Sequence, residues 1–151
     1  STDAITVTGT PANGQTLTIT DTALTSTTVT ADAALGAGVA SADKFSTAGT
    51  TVQVAAAILG AINNTVANVT ASAGSTTSKI TLTQDVKGAR GNTDVVSTLA
   101  NVTILNSGNA NTTFTGGIDF VASDIDGHKF TLISYDSASA STSKTYQVDD
   151  A

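Results

Sequence analysis

The sequence predicts an α+β fold dominated by strands: a small sheet or sandwich module ordered β-β-β-α-β-β-β, with one packed helix, tandemly repeated. Three observations lead there. Short runs alternate apolar and polar residues, one stretch spaces its apolar residues as a helix does, and the last third of the chain restates the first. The composition agrees. The 151 residues suffice for one domain or slightly more, and 40% are hydrophobic, drawn mainly from Ala, Val, Ile and Leu. Thr and Val are abundant, and branching at Cβ suits a pleated surface. All twelve acidic residues are Asp, which favours turns and caps over helix surfaces.

"AITVTG" and "QTLTIT" carry the period-two pattern of half-buried strands. Between them, Pro11 and Asn13-Gly14 supply turn chemistry. "STTVTA" is a third strand, and "LGAGVASADKFSTAG" reads as a connection rich in small residues. A helix over about 50–63 follows, because Ala55, Ile58, Leu59 and Ile62 recur at i, i+3, i+4 and i+7. Thr50 and Gln53 stand at capping-box spacing. Asn63 and Asn64 are expected to stop the helix, since Asn tolerates the left-handed conformation. Gly60 sacrifices about 1 kcal/mol of helix propensity, which suggests a close approach by the sheet. "ANVTAS" and "SKITLTQ" read as a hairpin, "DVKGARGNTD" as a loop, and "NVTILN" and "TTFTGG" as closing strands.

From Ile118 the opening is replayed. Ile5 falls on Ile118, Val7 on Phe120, Leu17 on Phe130 and Ile19 on Leu132, 113 residues on. After a loop four residues longer, Val29 falls on Tyr146 and Ala31 on Val148. The sequence therefore predicts a complete module over 1–117 and the first three strands of a truncated second copy over 118–151. The chain starts without Met and stops in mid-pattern, as a segment of a longer polypeptide would.

The order "GQTLTI", "TVQVAAAILGAIN", "VTAS" with "ITLT", "GARGN" and "FTGG" resembles a β-rich repeat module of large bacteriophage virion proteins and bacterial surface proteins. The helix with its hairpin is similar to the insertion motif of flagellins and hook-associated proteins. The resemblance implies virion or extracellular scaffolding and brings no catalytic residues.

Chemistry is sparse. With no Cys, disulfides, thiolate catalysis and Cys-based metal sites are excluded. The net charge is −6 and the six basic residues are scattered, so nucleic acid and anionic membranes are not expected partners. No apolar run approaches a membrane span. His128, the single histidine, aligns with the polar strand residue Gln15 and reads as solvated. "SDIDG" places Asp124 and Asp126 as in the start of a calcium loop, but the distal Glu of a full loop is missing. Calcium is thus the one cofactor the sequence raises, with an Asx turn as the plainer alternative. Asp149-Asp150 reads as a solvated strand end. Twelve Asp specify no glycosidase pair. Lys87 and Arg90 in "KGARGN" lack the spacing of a phosphate loop and read as turn residues. Asn63, Asn68, Asn101 and Asn111 each head an Asn-x-Thr triplet, which matters only in a glycosylating host.

The expected function is accordingly non-enzymatic: a structural component of a bacteriophage virion, capsid- or tail-associated, working through contacts with other copies of itself or other virion proteins as a homo-oligomer or filament. A bacterial cell-surface adhesin stalk or flagellin-like extracellular filament is the alternative. Such arrays are expected to withstand force, because each unit buries its own core.

Overall fold

A computed structural model describes residues 1–105, 111–114, 129–135 and 141–147. The chain divides into two units, Ser1–Asp119 and Phe120–Ala151. The fold is β-dominated α+β, with one α-helix and two sheets in the first unit.

Strands β1 (Thr2–Val7), β2 (Thr16–Thr20), β3 (Ser26–Asp32), β4 (Ala40–Ser41) and β5 (Lys44–Ser46) precede helix α1 (Thr51–Thr65). Strands β6 (Val69–Ala73), β7 (Lys79–Gln84), β8 (Asp94–Ser97), β9 (Val102–Leu105) and β10 (Asn111–Thr113) follow it. One sheet has the order β6-β7-β1-β9 and the other β10-β8-β2-β3-β5-β4. All pairs are antiparallel except β3 with β5. The alternation in sequence becomes an alternation in space: Ile5, Val7, Leu17, Ile19, Val29, Ile80 and Leu82 point into one shared core. Thr18 and Thr28 face outward, their hydroxyls joined at 2.7 Å. Thr20 and Ser26 are likewise joined at 2.9 Å.

The helix carries the predicted capping box. Gln53 N–H donates to Thr50 Oγ1 at 3.3 Å, and Thr50 N–H donates to Gln53 Oε1 at 2.9 Å. Val54, Ala55, Ala57, Ile58, Ala61 and Ile62 are buried, against β6, β7 and β1 on one side and β3, β4 and β5 on the other. The helix thus closes the flank where edge strands β6 and β4 lie. Burying each Ile is worth about 1.5–3 kcal/mol. Gly60 has the anticipated reason: a Cβ there would stand 3.0 Å from Ala40 Cβ on β4.

Four expectations are corrected. The six-strand layout of the first module becomes five strands before the helix and five after. The stretch read as a connection holds β4 and β5, and "DVVS" forms β8. Strands of two to four residues are too short to show a period. The turn expected at "TPANG" is present, and it carries the chain from one sheet to the other. The helix runs past Asn63 and Asn64 to Thr65, with Val66 as an extended cap. The left-handed residue is Asn68, at φ 57°. Leu59, placed on the buried stripe by periodicity, is only partly buried.

The second unit contains a hairpin of β11 (Lys129–Tyr135) and β12 (Ser141–Gln147). Its register has a counterpart in the first unit. Leu17 pairs with Val29 and Ile19 with Thr27, while Phe130 pairs with Tyr146 and Leu132 with Lys144.

Candidate functional site

The strands of the first unit run between two ends, which differ in character. At the near end lie Ser1, Asp21, Asn68, Gln84, Thr93 and Phe114. Ser1 C=O accepts from Gln84 N–H at 3.0 Å, and Phe114 N–H donates to Thr93 C=O at 2.9 Å. Gln84 Nε2 donates to Thr93 Oγ1 at 2.8 Å and to Thr20 C=O at 2.9 Å, so it ties the two sheets together at this end. Gln84 is buried, and its Oε1 has no hydrogen-bond partner among the described residues.

Asp21 organises the β2–β3 turn at this end. Its Oδ1 accepts from Ala23 N–H and Thr25 N–H, each at 2.9 Å, and its Oδ2 accepts from Asn68 Nδ2 at 2.8 Å. The Asn68 bond first, then the backbone donors, hold its carboxyl below the ordinary value, with burial opposing. The turn so fixed carries Leu24 at φ 62° and 78% exposed. A left-handed, solvent-facing Leu is uncommon, because the Cβ is crowded there. Sequence periodicity passed over it; the available signal was one large apolar residue inside the polar turn "DTALT".

The far end holds the loops around Pro11–Gly14, Ala33–Gly38, Gly74–Thr77 and Thr98–Asn101, together with the start of the helix. Two concavities open there. One is an apolar groove of about 300 Å³ between the first turns of α1 and the β6–β7 hairpin, lined by Val52, Ala56, Leu59, Ala73, Lys79 and Ile80. Val52 is 42% exposed. The apolar residues off the buried face in "TVQVAAAIL" are the sequence trace of this groove. The other concavity, about 250 Å³, lies among Asn13, Gly14, Thr30, Asp32 and Lys44. There Lys44 Nζ stands 3.2 Å from Asp32 Oδ2. The Asp32 carboxyl is held below its ordinary value by Ala34 N–H first and Lys44 second.

The residues singled out by sequence divide into those inside and those outside the described residues. Asp124, Asp126, His128 and Asp149-Asp150 lie outside the described residues. Lys87 and Arg90 are exposed in the stretch around a 3-10 turn, Ala89–Gly91. Gly91 there seats Ser1, whose Oγ would lie 2.6 Å from an added Cβ. Asn63, Asn68 and Asn101 spend their side-chain amides on the fold. Asn63 pairs with Ala71, Asn68 holds Asp21, and Asn101 Nδ2 donates to Thr10 C=O at 3.1 Å. Among the described residues no three His, Cys, Asp or Glu stand close enough to hold a metal ion, and no helix is long and apolar enough to cross a membrane.

Comparison with known protein families, with curated proteins and with solved structures found no match to this chain.

Proposed function

We propose that the protein is a non-enzymatic structural component of a bacteriophage virion, a capsid- or tail-associated repeat protein that works as a scaffold through contacts between units and between copies. The observation that supports it most is the shared register of two hairpins 113 residues apart, Leu17 with Val29 and Phe130 with Tyr146. A one-residue slip would turn every side chain to the opposite face, so matched registers in two sequence-related hairpins favour repetition of a module. Many of the described polar side chains, among them Asp21, Asn63, Asn68 and Asn101, hold turns and strand edges. A bacterial cell-surface or extracellular filament role is the second reading, because the same physics serves both.

Antibody raised against the purified chain separates them. Immuno-electron microscopy of phage particles and of cell envelopes from the encoding organism is expected to label the particle. Label on the envelope alone would favour the surface filament, and label on neither would remove both.

A further inference from the structure

The geometry points to a head-to-tail contact between copies of this protein, in which Leu24 of one copy enters the apolar groove of the next. The knob is built to stay out. Leu24 is the most exposed large apolar residue described, at 78%. Asp21 fixes its turn through two backbone bonds and one to Asn68. Val86, 49% exposed, follows Asp85, whose N–H donates to Asn68 C=O at 2.9 Å, so it adds apolar surface at the same end. Keeping a Leu left-handed and in water costs free energy on both counts. A neighbour's apolar surface returns the second.

The groove has matching chemistry. Its walls are mostly apolar, Val52, Ala56, Leu59, Ala73 and Ile80 among them, with Thr77 polar and Lys79 the one charged side chain. Knob and groove also sit where one copy cannot satisfy itself. Asn68, which holds the knob, follows the C-terminal end of α1, while the groove is lined by the helix's first half. Fifteen residues of helix span roughly 22 Å. Complementary surfaces at opposite ends of one body make a heterologous contact, which grows into open chains where the rotation does not close a ring. Between β11 and β12 the sequence of residues 136–140 has no large apolar residue.

The inference deepens the self-assembly part of the function proposed above and rests on it. The test is sedimentation velocity on the full chain and two variants over a concentration series. Leu24→Asn removes the knob and places there a residue that accepts the left-handed conformation. Ala56→Glu puts a charge in the groove from an exposed helix position. Wild type is expected to show average mass rising with concentration, and more steeply at high salt, which screens the −6 charge of each copy. Each variant alone is expected to stay monomeric, with Leu24→Asn melting no lower than wild type. An equimolar mixture of the two is expected to form discrete heterodimers, since each supplies the surface that the other lacks. Wild-type association that both variants retain, or a mixture without heterodimers, would overturn the contact and leave self-assembly standing. A wild type that stays monomeric throughout would remove both the contact and self-assembly of this segment.

Discussion

Asn63 and Ala71 form a closed ring of two hydrogen bonds: Asn63 Nδ2 donates to Ala71 C=O at 2.9 Å, and Ala71 N–H donates to Asn63 Oδ1 at 2.8 Å. The side-chain amide stands in for a neighbouring strand along β6, the edge of its sheet. Edge strands with unpaired backbone groups recruit other chains. Here the helix supplies the cover.

Asn63→Ala is therefore expected to destabilise the fold by about 1–2 kcal/mol, the loss of two bonds being partly offset by better helix propensity. Urea unfolding measures it. Asn64→Ala, at an exposed position one residue on, should show no loss. Equal effects at the two positions would deny Asn63 its role at the edge.

Asp21 sets a pH dependence. Its folded pKa lies below the ordinary 3.8, with Asn68 the leading cause. The unfolded chain therefore binds the proton more readily in the window just under that value, and stability falls as pH falls through it. The contribution is fully present above the unfolded pKa. Thermal melts from neutral pH down to about pH 3 should lose less stability in Asp21→Asn than in wild type over the acid limb. Asp32, also lowered, keeps part of the limb in place. At neutral pH, Asp21→Ala is expected to cost about 1–3 kcal/mol through the turn donors left unpaired.

Gly60 and Ala40 are coupled through space. Gly60→Ala would gain about 1 kcal/mol in a free helix. In this fold the new Cβ meets Ala40 at 3.0 Å, so the gain should not appear. Gly60→Ala with Ala40→Gly removes the contact and should restore part of it. A double-mutant cycle by chemical denaturation reads the coupling, expected at about 0.5 kcal/mol or more.

Gln84 should rank its substitutions by volume and by donors. Gln84→Leu removes two inter-sheet bonds but fills the space, for about 1–3 kcal/mol. Gln84→Ala adds a cavity and should cost more. A reversed order in calorimetry would mean that an apolar side chain against the orphaned Thr20 C=O and Thr93 Oγ1 costs more than the cavity.

Period and capping made much of the first unit legible. The alternation in "AITVTG", "QTLTIT" and "SKITLTQ" marked residues that lie in β1, β2 and β7, and Thr50 with Gln53 marked the helix start. Strands β4, β5 and β8 were illegible because each is held by its neighbours and is too short for its own pattern to register. The end of the helix was misplaced because Asn63 has a tertiary partner, Ala71, that local rules cannot see. Leu24 and the groove escaped notice for a related reason: periodicity finds what is inside, and both are outside.

Ser1 and Phe114 lie at one end of the first unit, linked through Gln84 and Thr93. Force applied between Ser1 and Phe114 would pry the two sheets open one bond at a time, beginning at Gln84, instead of shearing whole strands at once. The same arrangement makes residues 1–114 transplantable: grafted into a surface turn of another protein, they would keep the host's strands close together and carry their loops and groove out to the opposite pole.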